Sequence, residues 1–370
     1  MSGALEKIAG GRLERILKQM TSNPIKSFIF GAGVTAAIQS SSAVTVMLVG
    51  LVNSGIMNLS QTVSVIIGSN VGTTITAWIL SLSGIKSTTF LLRLLKPESF
   101  SPILALIGVI MIMAAKSNKR KNVGTVFVGF AILMFGMEMM AGSMAPLADM
   151  PSFQHILVAF TNPLLGMLVG LVVTMVIQSS AASIGILQAL SMVGGLSYGI
   201  AIPIILGQNL GTCITAVLSA IGVTTNAKRV AAVHVIYNIL SVGICLPIFV
   251  LLNHIFDIAF VAKDATPFGI AVVHTVYNII TALVAFPFFK FLEKAAIWAI
   301  KEKQSDANKS VMLDERLLLA PGFAIAESYK QTVKMAEIVE FNFINATKML
   351  KSYHQKKAEQ IRENEVLIDT

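Results

Sequence analysis

The sequence predicts an all-α, polytopic membrane protein with inverted-topology repeats, each containing a re-entrant helical hairpin, and a cytosolic helical tail. Three observations favour this fold class. The 370 residues are 55% hydrophobic and only 13% charged, with a mean hydropathy of +0.76, whereas soluble domains carry roughly twice that charge. An apolar segment with the same polar motifs occurs twice. Residues 301–370 are charged and contain no apolar run of membrane length.

The duplicated segment is recognised by its glutamine and serines. Gln39-Ser40-Ser41-Ser42 is followed 139 residues later by Gln178-Ser179-Ser180. At that offset, without gaps, about 20 of 58 positions are identical. A second motif, Gly-x-Asn-x-Gly-Thr, follows each copy at residues 68–73 and 207–212. Polar clusters that recur at membrane depth in a duplicated unit are typical of secondary transporters.

The elements follow in a regular order. Residues 1–27 alternate apolar and charged positions and predict a short interfacial helix, Leu5–Met20. Two apolar stretches are broken by the glutamine–serine motif, and six further stretches are close to the roughly 20 residues that a spanning helix needs. The broken stretches are 28–57 and 163–193, and the spans are 61–80, 87–115, 123–141, 200–221, 229–252 and 268–290.

The basic loops predict the orientation. Short loops rich in Lys and Arg prefer the cytoplasm, which places the loop 116–121 inside. If each broken stretch returns to the side it left, then Lys228, Arg229 and the lysines from Lys290 onward are also inside. The two copies are then inverted relative to each other. The basic residues within 86–96 fall outside and fit this topology less well.

Three regions result from this topology. Residues 1–115 form the first transmembrane repeat, residues 116–300 the second repeat and final spans, and residues 301–370 the cytosolic tail. Met1 aligns with Met140, so the first copy has no counterpart of Val123–Met139. We expect that a leading helix is missing, and a natural asymmetry between the copies is the alternative. Apolar positions from Ala324 onward recur at helical spacing, which predicts that the tail is helical.

The composition of the motifs indicates the ions that they suit. Glycine allows a helix to break. A broken helix exposes N–H groups that suit an anion at one half-helix N-terminus, and carbonyls that suit a small hard cation at the other half's C-terminus. No Asp, Glu, Lys or Arg lies within 28–57 or 163–193. Because proton coupling usually requires an ionisable group within the membrane, Na⁺ coupling is favoured over H⁺ coupling.

A third pattern lies in the last two spans. His234-x-x-Tyr237-Asn238 recurs 40 residues later as His274-x-x-Tyr277-Asn278. Hydrogen bonding between helices is the simpler interpretation, and a layer around the hairpins or part of a permeation path is the alternative. The two cysteines, Cys213 and Cys245, lie in apolar segments and indicate neither a disulfide framework nor a metal site.

Together with Leu313-Asp314-Glu315-Arg316 at the start of the tail, these motifs resemble the bacterial sodium/phosphate cotransporter family, related to the animal type II carriers. The resemblance implies Na⁺-coupled transport of inorganic phosphate across the bacterial cytoplasmic membrane by alternating access. It implies Na⁺ as the coupling ion, no other cofactor, and membrane lipid but no nucleic acid as a partner. It leaves a homodimer open. The tail resembles the beginning of a PhoU-like domain.

The resemblance also implies the site residues. Phosphate and sodium binding falls on the two hairpins and the motifs after them: Gln39, Ser40, Ser41, Ser42, Gln178, Ser179, Ser180, Asn70, Thr73, Asn209 and Thr212. A surrounding layer comprises Thr35, Thr174, Ser183, Asn238 and Asn278. The second copy departs from the triple serine because Ala181 occupies the third position. Ser183 is a candidate to compensate for that loss.

Three other functions remain to be compared. The same fold with a different small anion, such as sulfate, arsenate or a carboxylate, cannot be separated by sequence. An intramembrane serine hydrolase would pair Ser40 or Ser180 with His234 or His274. No Gly-x-Ser-x-Gly elbow surrounds these serines, so we expect that the protein is not an enzyme. A receptor or scaffold role would leave the buried polar repeats unexplained.

Overall fold

The computed structural model describes residues 23–84, 97–144, 146, 150, 160–301 and 321–369. Regular structure in these ranges is helical, apart from an isolated bridge between Ser197 and Asp264. The predicted interfacial helix at 5–20, the basic residues within 86–96 and the Leu313–Arg316 motif lie outside the described residues.

The first half of the chain forms six helices in the described ranges. The first broken stretch gives two helices, and the matching glycine motif separates the next two. These helices are α1 (Pro24–Ile38), α2 (Ser41–Asn53), α3 (Leu59–Gly72), α4 (Thr74–Ser81, followed by a 3₁₀ turn at Leu82–Gly84), α5 (Pro97–Ala114) and α6 (Asn118–Met144).

The second half begins with the same pattern. Its helices are α7 (Pro163–Ile177), α8 (Ser180–Val193), α9 (Tyr198–Gly211), α10 (Cys213–Ser219) and α11 (Thr225–Phe256). After these come α12 (Pro267–Ala285), a 3₁₀ turn (Phe286–Phe288), α13 (Phe289–Ala299), α14 (Pro321–Met349) and α15 (Gln355–Ile368). Proline suits the first turn of α14, where its missing N–H has no helical partner.

Five helical stretches are long and apolar enough to cross a membrane: Leu59–Gly84, Asn118–Met144, Tyr198–Ser219, Thr225–Phe256 and Pro267–Ala299. The protein is therefore an all-α, multi-pass membrane protein. The two halves of each predicted hairpin are shorter apolar helices. The predicted span 87–115 is described only from Pro97 onward, and its apolar part, Ser99–Ala114, also falls among the shorter helices.

Glycines let the first helix of each hairpin pack closely on the broken helix that follows it. In the first copy, α1 lies against α3. A Cβ atom at Gly31 would overlap the Val65 carbonyl, and one at Gly68 would overlap the Phe28 carbonyl. Small residues permit such close backbone contact between membrane helices. The second copy repeats the arrangement between α7 and α9, with Gly170 against Ile204 and Gly207 against Met167.

This packing predicts the effect of adding one methyl group. Gly207→Ala is expected to destabilise the protein by roughly 1–3 kcal/mol, because the new Cβ would displace the backbone of Met167. The matched control is Gly136→Ala in α6, where a Cβ would meet nothing within 4 Å. Thermal unfolding in detergent, followed by circular dichroism, measures both. Equal midpoints for the two variants would contradict the packing argument.

Two main hydrophobic cores hold the membrane region together, and each combines helices from both predicted repeats. The first core surrounds the first hairpin and includes Val230 of α11 and Leu292 of α13. The second surrounds α8 and α9 and includes Leu80 of α4 and Met137 of α6. The tail helices α14 and α15 contact each other, and Ala324 of α14 packs against the first core. The cores therefore place each hairpin against helices from the other half of the chain.

Candidate functional site

Both glutamine–serine motifs interrupt a helix by the same backbone conformation. Gln39 has φ 61° and ψ 31°, and Gln178 has φ 57° and ψ 22°. A positive φ is uncommon for residues other than glycine, and strained backbone of this kind tends to persist at functional positions. The N–H of Gln39 bonds to the Thr35 carbonyl at 2.7 Å, and that of Gln178 to the Thr174 carbonyl at 2.8 Å. These bonds end α1 and α7.

The serine after each glutamine starts the next helix. Ser40 Oγ accepts a hydrogen bond from the Ala43 N–H at 3.2 Å, and Ser179 Oγ accepts one from the Ala182 N–H at 3.2 Å. Serine is a favoured N-cap because it satisfies one of the first-turn donors that have no partner in the helix. Each break therefore places the C-terminal end of one half-helix beside the N-terminal end of the next.

In the first copy, the glutamine side chain is held on both sides of its amide. Gln39 is partly buried; its Oε1 accepts from Thr76 Oγ1 at 3.0 Å, and its Nε2 donates to the Ala36 carbonyl. Behind the break, the hydroxyls of Thr35 and Ser69 share a hydrogen bond of 2.7 Å. This bond joins Thr35 of α1 to Ser69 of α3.

In the second copy, the polar contacts are distributed differently. Gln178 is exposed, and its side chain makes no hydrogen bond within the described residues. Thr174 Oγ1 donates to Ser183 Oγ at 2.8 Å, and Gln208 Nε2 donates to the Ser183 carbonyl at 2.9 Å. Ser183 is fully buried and bonded to Thr174. Its hydroxyl therefore joins α8 to α7.

The two halves of the chain meet through side chains of the hairpins. Ser42 Oγ accepts from Thr215 Oγ1 at 3.1 Å, which joins α2 to α10. Gln188 is fully buried, and its Nε2 donates to the carbonyls of Ala77 and Pro267, both at 3.0 Å, which joins α8 to α4 and α12. Each hairpin thus contacts the short helix of the other copy.

The buried Asn and Thr of the second motif bond within their own helices. Each side chain donates to the carbonyl four residues earlier: Asn70 to Ile66 (3.1 Å), Thr73 to Ser69 (3.1 Å), Asn209 to Ile205 (3.0 Å) and Thr212 to Gln208 (3.0 Å). Such bonds are a common way for polar residues to be accommodated in membrane helices. In these bonds the side-chain N–H and O–H groups donate, so the side-chain oxygens remain available as acceptors.

The His-x-x-Tyr-Asn pattern has a different structural role for each residue. Asn238 and Asn278 donate to the His234 and His274 carbonyls of their own helices, at 2.9 and 2.8 Å. The contact between α11 and α12 is made by the Tyr237 hydroxyl, which shares a hydrogen bond of 3.1 Å with Thr281. Hydrogen bonding between these helices is therefore present, but tyrosine provides it.

Several polar residues of this region were not among the predicted site residues. Thr76 and Thr215 contact the hairpins directly, and both are identical at the repeat offset, which was the available signal. Gln188 and Gln208 replace Val49 and Ser69 of the first copy. Their importance could not be inferred from the repeat, because each occurs in one copy only.

Comparison with known proteins fits this geometry. The family model described as Na⁺/Pi-cotransporter matches residues 1–142 and 132–261. The chain belongs to this family. Both hairpins, both glycine motifs and all of α11 lie within the matched residues. The tail lies beyond them.

Named relatives include bacterial and animal members. The uncharacterized protein YqeW of Bacillus subtilis is 31% identical over 66% of this chain and 75% of its own length. The putative inorganic phosphate export protein YjbB of Escherichia coli is 28% identical over 65% of this chain but 42% of its own length. The sodium-dependent phosphate transport protein 2A of Rattus norvegicus is 39% identical over 24% of this chain and 15% of its own length. No solved structure matches this Na⁺/Pi-cotransporter family member.

Proposed function

We propose that this protein transports inorganic phosphate across the bacterial cytoplasmic membrane, coupled to Na⁺, by alternating access. Family membership and the printed functions of the E. coli and rat relatives support phosphate and sodium as the transported ions. The observation that carries the proposal is the pair of uncharged helix breaks at Gln39 and Gln178. They have the same backbone geometry, and each hairpin contacts the other half of the chain.

Phosphate is proposed to bind at the N-terminal ends of α2 and α8. The first-turn N–H groups of a helix have no carbonyl partner within the helix and attract anions. The Ser40 and Ser179 caps use only one of these donors each. The hydroxyls of Ser41, Ser42 and Ser180 add neutral donors beside the backbone. Because no basic residue lies within either broken stretch, the phosphate charge is balanced by helix ends and by bound Na⁺.

Sodium is proposed to bind near the two hairpins, at backbone carbonyls and at the Gly-x-Asn-x-Gly-Thr motifs that end α3 and α9. Small hard cations prefer oxygen ligands. The motif side chains donate hydrogen bonds within their own helices and keep oxygen lone pairs that can coordinate a cation: Asn70, Thr73, Asn209 and Thr212. Unwound carbonyls and half-helix C-termini coordinate Na⁺ in transporters with discontinuous helices. Asn238 and Asn278 are proposed to support this site from the adjacent helices.

The unequal contacts of the two copies support alternating access. Thr76 bonds to Gln39 of its own copy, whereas the matching Thr215 bonds to Ser42 of the other copy. Gln39 is partly buried, and Gln178 is exposed. Two inverted copies in different local conformations are what a state open to one side requires. In the opposite state, we expect Thr215 to bond to Gln178.

The division of the chain into two transmembrane halves and a tail is part of the same proposal. Residues 1–115 and 116–300 contribute the two inverted halves, and residues 301–370 form a cytoplasmic tail related to the start of a PhoU-like domain. Two tail helices contact through Asn342, which donates to Glu365 at 3.1 Å and accepts from Asn364 at 2.8 Å.

Uptake of labelled phosphate into proteoliposomes tests this function. An inward Na⁺ gradient is expected to drive accumulation, and full replacement of Na⁺ by choline is expected to reduce uptake to the level of protein-free vesicles. Uptake that persists in choline would exclude Na⁺ coupling. Competition by excess sulfate, arsenate or a small carboxylate then identifies the preferred anion, and stronger inhibition by one of these than by unlabelled phosphate would reassign the substrate.

The hydrolase alternative gains no support from the site. Ser40 caps α2, and no hydrogen bond joins a hairpin serine to His234 or His274 in the described part of the chain. A nucleophilic serine needs a base within hydrogen-bond reach. The family match places the chain among transporters.

A further inference from the structure

The last apolar helical stretch is too long for a single membrane crossing. Pro267–Ala299 comprises 33 residues, or about 50 Å of helix, whereas the hydrocarbon core is about 30 Å thick. A 3₁₀ turn that contains Pro287 separates α12 from α13, and proline interrupts the hydrogen bonds of a continuing helix. The 19 residues of α12 span about 28 Å, so α12 is long enough to cross without α13.

Two hydrogen bonds indicate that the chain bends after α12. The Tyr237 hydroxyl joins Thr281 at 3.1 Å, and Arg229 Nε donates to the Ile300 carbonyl at 3.0 Å. Eight residues of α11 separate Tyr237 from Arg229, about 12 Å, but a straight helix from Thr281 to Ile300 would cover about 28 Å. One arginine side chain is too short to span that difference. The chain beyond Ala285 therefore turns back toward the N-terminus of α11.

One face of α13 is fixed against the protein. Leu292 and Ala296 are buried in the first core, which also contains Val223, just before α11, and Ala227 and Val230 near the start of α11. The helix also contacts α3. The orientation of α13 about its own axis is thereby determined.

The remaining two faces differ in chemistry. Phe291 and Trp298 lie seven residues apart, so they share one face, and they are 58% and 80% exposed. Lys290 and Lys294, four residues apart on α13, are exposed on another side, and Lys301, just beyond the end of the helix, is also exposed. None of these lysines has an ion-pair partner in the described ranges. An apolar face with aromatic residues beside a row of unpaired lysines is typical of a helix that lies in the membrane interface.

We propose that α13 lies along the cytoplasmic membrane surface and binds anionic phospholipid headgroups through Lys290, Lys294 and Lys301. Phe291 and Trp298 enter the acyl region next to the headgroups, where aromatic side chains are enriched. Anionic lipid is the partner that matches both faces, since it offers negative headgroups directly above an apolar layer. This inference does not depend on which ion the protein transports.

The position of Trp298 can be measured by fluorescence quenching in vesicles. The chain has two tryptophans, and Trp78 is partly buried with its Nε1 donating to Thr275 at 2.9 Å. The variant Trp78→Phe isolates the fluorescence of Trp298. As a check that leaves Trp78 in place, the spectrum of Trp298→Phe is subtracted from that of the wild type, which gives the same Trp298 fluorescence. Phosphatidylglycerol vesicles with bromine near the headgroup are expected to quench Trp298 more than those brominated at mid-chain. Strongest quenching at mid-chain would mean that α13 crosses the membrane, and no quenching would mean that water or protein covers it.

The lysine contribution can be measured by native mass spectrometry with phosphatidylglycerol and phosphatidylcholine. Wild type is expected to retain phosphatidylglycerol preferentially, and Lys290→Gln/Lys294→Gln is expected to reduce that preference on the order of 10-fold. Lys356→Gln/Lys357→Gln removes the same charge from exposed positions of α15 and is expected to leave it unchanged. An equal loss of preference in both variants would mean that net charge alone causes the preference, and would overturn the lipid site. Unchanged preference in both variants would also overturn the lipid site.

Discussion

Gln39→Leu is expected to reduce Na⁺-dependent phosphate uptake by at least about 100-fold, because it removes both hydrogen bonds of a partly buried amide at a helix break. In the structure, that amide accepts from Thr76 and donates to the Ala36 carbonyl. Leucine has a similar volume but can make neither bond. Initial rates of labelled phosphate uptake in proteoliposomes, at matched amounts of reconstituted protein, measure the effect.

A graded series separates the role of the hydroxyl from that of the amide. Thr76→Val removes one of the two Gln39 bonds and is expected to lower uptake by about 10-fold, whereas Thr76→Ser keeps the hydroxyl and is expected to retain most of it. Thr125→Val is the matched control, because Thr125 is exposed and its hydroxyl donates to the Lys121 carbonyl of its own helix. If Gln39→Leu transports at the wild-type rate, the first break is not part of the phosphate or sodium site.

A disulfide between positions 42 and 215 is expected to stop transport completely and reversibly. Ser42 Oγ and Thr215 Oγ1 lie 3.1 Å apart on the hairpin of one copy and the short helix of the other. Alternating access requires the two copies to exchange conformations, and a covalent bond across this contact would prevent that exchange. The experiment uses Ser42→Cys/Thr215→Cys in a background without Cys213 and Cys245. Uptake is measured after oxidation and again after reduction.

The single variants Ser42→Cys and Thr215→Cys provide the controls, since neither can form the intramolecular bond. Both are expected to be insensitive to oxidant. Undiminished uptake by the cross-linked double variant would mean that α2 and α10 stay in contact throughout the cycle. The two copies would then move relative to each other at another contact, and the exchange of hydrogen-bond partners inferred for Thr76 and Thr215 would be wrong.

The helix breaks were predictable because their causes are local. A Gln-Ser-Ser motif between two apolar runs supplies a left-handed helix end and a serine cap, and the structure contains both at Gln39-Ser40 and Gln178-Ser179. The close contact of α1 with α3 was not predicted, although Gly31 and Gly170 recur at the repeat offset. Four of the predicted spans agree with the helical stretches to within five residues, since apolar length defines them. The last predicted span, 268–290, is wrong at its end, because the helical stretch continues to Ala299.

The partners of each polar side chain were not predictable in the same way. Thr35 and Thr174 occupy matching positions, yet one bonds to Ser69 and the other to Ser183. Gln208 in the second copy takes the place of Ser69, and its longer side chain reaches the Ser183 carbonyl instead. A one-residue change in either copy thus reassigns several hydrogen bonds, which identity at a fixed offset does not reveal.

The sequence by itself determined that the chain is helical and membrane-spanning, that it is duplicated, and that its polar motifs contain no charge. These properties follow from composition, apolar length and backbone preferences, which act over a few residues. Only the tertiary structure decided that Ser42 meets Thr215, that Gln188 joins α8 to α4 and α12, and that α13 folds back to Arg229. Those contacts join residues that are 71 to 173 positions apart, and they depend on how whole helices pack, which no local pattern encodes.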